Sequence, residues 1–160
     1  MRTVLVAGIG NVFHSDDGFG SEVARRLAGL TWPAGVKVVD YGIRGLHLAF
    51  DLLDGWDALV LVDALPDRGQ VGAVTVLTIG ADDVGPGAAV DAHGMDPATV
   101  LGALSRLGGR LPRRTVLVGC QVAETGDGMG LSPAVEEAVG EAMRAVSALV
   151  AYALAAEEAS

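Results

Sequence analysis

The segment ALVLVD at residues 58–63 constrains the fold of this chain more than any other stretch. It is a run of strand length, apolar on every residue up to Asp63, with none of the alternation that a strand with one wet face would show. A strand of this kind is buried on both faces, as in a parallel sheet covered on either side by helices. TVLVA at 3–7 and TVLVG at 115–119 repeat the pattern, and Val36–Asp40 reads as a further strand. Between these runs the apolar spacing changes to the helical period. Phe19, Val23, Leu27 and Leu30 share one face of a helix over 19 to about 30. A short helix follows from Gly45 to about Leu53. Asp96–Pro97 and Ser132–Pro133 each combine a capping residue with proline at the first helical position, opening helices to about Leu107 and about Ala156. Val71–Ile79 alternates and follows closely on Arg68–Gly69–Gln70, which makes it an edge strand. No linker, repeat or low-complexity tract interrupts residues 1–160, so the chain reads as a single domain. The expected fold is a three-layer α/β/α domain with a mostly parallel central sheet and one antiparallel edge strand.

Charge and cysteine usage narrow the function classes. With 11 basic and 20 acidic residues the formal charge is −9, which repels nucleic acid and anionic membrane. Arg110, Arg113 and Arg114 are too few to reverse that. Cys120, the one cysteine, excludes an internal disulfide and a multi-thiolate zinc site; within VLVGC it reads as a small buried side chain. The N-terminal apolar stretch is broken at Gly8 and is too short for a signal peptide or a membrane span. The expected compartment is the cytoplasm.

Sites in open α/β sheets form beyond the carboxyl ends of the strands. There this chain gathers its titratable groups. GIGNVFHSDDGFG at 8–20 carries Asn11, His14, Asp16 and Asp17; Asp40 and Asp63 end two further strands, His93 lies in the Gly/Asp-rich loop over 80–95, and Glu124 follows the strand at 115. Gly8–Ile9–Gly10 begins like a dinucleotide fingerprint, with Asp40 where a ribose-binding acid could lie. Phe13 replaces the third glycine, however, leaving the close approach of helix and strand unprovided. Asp16 and Asp17 would also repel a pyrophosphate at the helix entry. The carboxylates of Asp17 and Asp63 with the imidazole of His93 instead suit a divalent cation such as nickel, zinc, iron or manganese. The competing readings are a helix-dipole charge for Asp17, a turn residue for Asp63 and an ordinary loop histidine for His93.

GIGNVFHSDDGFG, DYGIRGL at 40–46, LVDA at 61–64, HGMDP at 93–97 and GLSPAVEEAV at 130–139 resemble, in order and spacing, the hydrogenase maturation endopeptidases. The resemblance runs from Thr3 to about Leu149. It implies that Asp17, Asp63 and His93 are the metal-contacting and catalytic trio, and that Asp40, Gly42 and Gly45 border the substrate cleft. It also implies the activity: removal of a short C-terminal extension from the large-subunit precursor of a nickel–iron hydrogenase once nickel is inserted. The nickel is supplied by the precursor, and no organic cofactor takes part. At the second acidic position of DDG some relatives carry Glu where this chain has Asp17, a donor one methylene shorter.

Nickel so held could orient the scissile region, polarise its carbonyl or activate a water, and the sequence leaves these open. No Ser–His–Asp or Cys–His set is evident, which disfavours covalent catalysis. Ser132 reads as a helix cap, and His14 as a solvated loop residue. Two other functions fit the same ligands: a non-catalytic nickel-sensing module that docks the precursor, and a general zinc metallopeptidase. The second is disfavoured by the lack of an HExxH pair.

Overall fold

The computed structural model describes residues 2–80 and 97–156. Along the chain run β1 (Val4–Ile9), a 3-10 turn (Ser15–Gly18), α1 (Phe19–Ala28), β2 (Val36–Gly42), α2 (Gly45–Leu52), β3 (Ala58–Leu65), β4 (Val74–Thr78), α3 (Pro97–Arg106), β5 (Arg114–Gln121) and α4 (Pro133–Ala155). The five strands form one sheet in the order β2-β1-β3-β5-β4. All pairs are parallel except β4 with β5, so the alternating segment is the antiparallel edge strand.

Strand alternation sends successive side chains to opposite helical layers. Val4, Val6, Val60, Val62 and Val118 pack with Phe19, Val23 and Leu27 of α1 and with Val135, Val139 and Val146 of α4. Leu5, Ala7, Leu59, Leu61 and Leu117 pack on the other face with Leu48 and Leu52 of α2 and Val100 and Leu104 of α3. The run at 58–62 is apolar throughout because both faces are covered. α4 is long and apolar enough to cross a membrane, yet its apolar face lies on the sheet, with Val135, Val139, Ala142 and Val146 fully buried.

Several boundaries move from the sequence expectation. β3 continues past Asp63 because Ala64 and Leu65 stay in register with Cys120 and Gln121. α1 ends before Leu30, which is exposed, and Met143 sits at the half-buried fringe of α4 rather than on its buried face. The close approach of α1 to the sheet is provided after all. A Cβ at Gly8 would overlap Gly20 O, and one at Gly20 would overlap both Ile9 O and Val62 O. Gly20, not residue 13, is the second half of that contact.

Candidate active site at the switch point of the sheet

β1 and β3 are neighbours whose onward connections diverge, β1 leading to β2 on one side and β3 leading to β4 and then β5 on the other. A crevice opens where neighbouring strands part in this way, at their carboxyl ends. Gly8 stands level with Val62, so the chain leaves β1 beside Asp63. The first residues of α1 sit over this gap, with Gly20 against the carbonyls of Ile9 and Val62. Asp17 lies just before α1, in the 3-10 turn. Sequence-distant Asp17 and Asp63 are thereby brought to one rim.

Asp17 lines a cavity of about 200 Å3 together with His14, Ala64, Leu65, Pro66, Val122 and Thr125. Its Oδ2 accepts the Asn11 amide at 3.3 Å and its carbonyl accepts the same amide at 3.2 Å, which closes the loop on itself. Asp63 is partly buried, and its Oδ1 accepts the amide of Ala64 at 2.8 Å. Two partly accessible carboxylates at a crevice supply hard oxygen donors suited to a divalent cation. Among the described residues no group of three His, Cys, Asp or Glu side chains forms a complete cation site. His93 lies outside the described residues, as does Asp96.

The two acids of the SDDG turn have different work. Asp16 is fully buried. Its Oδ1 accepts the Ser132 amide at 2.6 Å, and its Oδ2 accepts the Ser132 hydroxyl at 2.8 Å and the amides of Glu124 at 3.0 Å and Ala123 at 3.2 Å. Burial by itself would raise the Asp16 pKa, but the donors from Ser132, Glu124 and Ala123 outweigh it and hold the carboxyl below its ordinary value. The backbone adds to this tie. Asp16 N–H donates to Glu124 O at 2.7 Å, Ser15 N–H to Gly128 O at 2.8 Å, and Gly128 N–H to Phe13 O at 2.9 Å. Ser132 stands at the N-cap of α4, but its hydroxyl is spent on Asp16 and makes no capping bond. Ser132 thus occupies the cap position expected from Ser132–Pro133 without capping α4 through its side chain. Ser15 adopts φ +51°, the one described non-glycine residue with positive φ, and its hydroxyl donates to Gly126 O at 3.0 Å.

A second cleft of about 250 Å3 opens between the loops after β1 and β2, with Asp40, Tyr41, Gly42 and Arg44 on one side and Gly10 to Phe13 on the other. Gly42 has φ +56°; its amide donates to Asp40 Oδ1 at 2.9 Å, and its carbonyl accepts Gly10 N–H at 3.1 Å. Arg44 folds back so that its guanidinium donates to the carbonyls of Asp40 and Tyr41. Tyr41 is buried beneath, and its hydroxyl donates to Asp51 Oδ2 at 2.6 Å. Burial and the Asp51 carboxylate push the Tyr41 pKa up, so the hydroxyl stays protonated. Phe13, Ile43 and Leu46 stand exposed around this cleft and nearby on α2. Gly45 is the buried first residue of α2 and does not line the cleft. Cys120 is buried, and desolvation followed by the negative field of Asp16 pushes its pKa up to about 11. It therefore remains a neutral thiol without nucleophilic character.

The sequence and the fold are similar to those of known proteins. The family profile described as hydrogenase maturation protease matches residues 21–149. The hydrogenase expression/formation protein HupD of Rhodobacter capsulatus is 38% identical over 91% of this chain and 71% of its own length. The hydrogenase maturating endopeptidase HybD of E. coli superposes with a TM-score of 0.79 at 28% identity, covering 94% of this chain and 93% of HybD. The [NiFe] hydrogenase maturation protease HybD of Thermococcus kodakarensis gives a TM-score of 0.73 at 28% identity, over 93% of this chain and 99% of its own.

Proposed function

The chain belongs to the hydrogenase maturation protease family, which makes it a hydrolase of the endopeptidase type, and we propose that it removes the C-terminal extension of a nickel–iron hydrogenase large-subunit precursor after nickel insertion. The observation that supports this reading is that Asp17, in the turn before α1, and Asp63, near the carboxyl end of β3, stand at the same rim of the sheet. Nickel belongs to the substrate in this scheme. Asp17 and Asp63 would offer it carboxylate oxygens and His93 an imidazole nitrogen. α3 supports the inclusion of His93. It leads into β5, whose first residue Arg114 is level with Ala58 at the start of β3, so α3 ends toward that rim and its first residue Pro97 stands toward the opposite one, where β3 ends. The chain from His93 to Pro97 can span at most about 14 Å.

The second cleft suits the peptide part of the precursor. Asp40 and Gly42 present polar backbone at its wall, while exposed Phe13 and Ile43 offer apolar surface to an extended segment. Asp17 and Asp63 hold and orient the metal-bearing end, and the peptide is positioned by the loops after β1 and β2. A free and buried Cys120 is compatible with work in the reducing cytoplasm, where the precursor would be met. The deciding experiment incubates the protein with a nickel-loaded large-subunit precursor and measures product mass. Loss of the extension is expected. Binding without any mass change would instead identify a docking module that does not cut.

A further inference from the structure

Where β4, β5 and the last turns of α4 meet, a cleft of about 300 Å3 takes no part in the chemistry above. It lies against Ala58 at the start of β3, about 16 Å along the strand from Asp63. Val76 and Thr78 of β4 form one wall, Leu149 and Tyr152 of α4 the other, and Arg113 and Arg114 stand at its mouth. Val76 and Tyr152 are 48% and 65% exposed, so this apolar corner is open to solvent.

β4 is also the outer strand of the sheet. Ile79 N–H donates to Thr115 O at 2.9 Å and Gln121 N–H to Ala73 O at 3.1 Å, so the odd-numbered residues of β4 face β5. Val74, Val76 and Thr78 therefore turn their own N–H and C=O groups outward, and among the described residues no strand pairs with them. Edge strands are usually blunted by charge, proline or a bulge. VTVLT has no charged residue or proline, and β4 pairs with β5 in continuous register.

The electrostatics of the corner point to what fits it. Arg114 lies over the Tyr152 ring, 5.0 Å from its centroid. Neither Arg113 nor Arg114 has an ion pair with a carboxylate among the described residues, in a chain of net charge −9. Arg25 and Arg26, by contrast, are paired with Glu22. We propose that the cleft between β4 and α4 docks an extended segment of a partner protein in which an apolar residue stands beside Asp or Glu. The segment adds a strand to β4 through the outward groups of Val74, Val76 and Thr78. Its apolar side chain enters the cleft and its carboxylate meets Arg113, which is the logic of strand addition with a side-chain pocket. Two guanidiniums suit one or two carboxylates and are too few for a polyanion. A second copy of this chain fits less well, because its β4 carries no acidic residue to offer.

The test is fluorescence anisotropy with labelled short peptides in which Val and Glu alternate, against matched peptides with Lys for Glu. The Glu peptide is expected to bind the full chain, and Arg113→Glu, at an exposed position, to weaken it about tenfold and reverse the preference between the two peptides. Val76→Pro removes an outward amide without touching the ladder to β5, and is expected to weaken both arms while the protein stays folded by its melting curve. Absence of binding, equal binding of Glu and Lys peptides, or indifference to Arg113→Glu overturns the proposal. So does a dimer in sedimentation that Val76→Pro disperses, which assigns the edge to a second copy. Binding seen only after deletion of residues 157–160 assigns the cleft to the chain's own end and equally overturns it. None of these outcomes depends on precursor cleavage, so failure here and failure of the proteolytic reading are distinguishable.

Discussion

Asp16 holds Ser132 by two hydrogen bonds, accepting its amide at 2.6 Å and its hydroxyl at 2.8 Å across 116 positions of sequence. The carboxylate also takes the amides of Ala123 and Glu124, so the loop that carries Asp17 is fastened to the segment entering α4.

Asp16→Asn keeps the shape but turns an amide donor toward backbone N–H groups. It is expected to cost about 3 kcal/mol, a fall in Tm of roughly 6–12 °C. The pH dependence follows from the lowered folded-state pKa of Asp16. Its stabilising contribution is present above the unfolded value, near 3.8, and is lost as pH falls through the folded value. Melting curves of parent and variant should thus differ most at neutral pH and converge in acid. A constant gap across that range would show that the charge of Asp16 does not matter.

Asp17→Asn, Asp63→Asn and His93→Ala each remove a proposed nickel donor, and neither Asp17 nor Asp63 belongs to the apolar core. Each is expected to slow trimming of nickel-loaded precursor by more than about a hundredfold, since losing even a ligand's hydrogen-bond partner costs about 10–100-fold. Thermal unfolding should move little. His14→Ala is the comparison. Its ring reaches Asp127 only at 3.8 Å, with the Asp127 side chain fully exposed, so most activity is expected to remain. Precursor lacking nickel should stay uncut by the parent protein. Near-normal cleavage by all the donor variants would remove the basis for the metal role.

Gly42 needs its backbone freedom and not its lack of bulk. A Cβ there would meet only Gly10 O and Asp40 Oδ1, at 3.8 and 3.9 Å, but φ is +56°. Gly42→Val is expected to cost about 1–2 kcal/mol of backbone strain and, by shifting the Asp40 turn, to raise KM for the precursor. Gly42→Asn, which tolerates that conformation better, should fall between Val and the parent. Equal processing per folded molecule in the Val variant would show that this turn does not border the substrate.

Val139 is fully buried in α4, whereas Met143 is only partly covered. Val139→Asp places a charge without a partner in the core and should cost at least about 3 kcal/mol. Met143→Asp should cost about 1 kcal/mol, a typical value for a partly exposed position. Chemical denaturation of the two variants checks the order. A Val139→Asp protein with the parental midpoint would mean that this face of α4 is not in the core.

The layers of the fold were legible because burial on both faces writes itself into uninterrupted apolar runs such as residues 58–62, and the single alternating segment marked the edge. Termini of elements were less legible. Asp63 looks like the end of a strand by composition, but pairing with β5 carries the ladder to Leu65. Adjacent Asp16 and Asp17 are chemically alike in the sequence. What separates them is the cluster of amides at 123–132, which no local pattern announces. The tight seat of α1 is hidden for a related reason. A dinucleotide-type fingerprint would set the glycine at 13, while the contact uses Gly8 and Gly20, spaced by the 3-10 turn. A second glycine on the first turn of α1, facing the strand, was the signal available.

The fastening of residues 13–16 to residues 123–132 has a consequence for synthesis on the ribosome. Contacts of such long sequence separation form only after the intervening chain has closed on itself. A nascent chain that has emitted β1 through β3 already displays Asp17 and Asp63, yet it lacks the amides that hold the SDDG turn in place. The SDDG turn is therefore fastened only once residues 123–132 have been made, and a product terminated before them carries Asp17 and Asp63 on a loop that nothing ties down at Asp16.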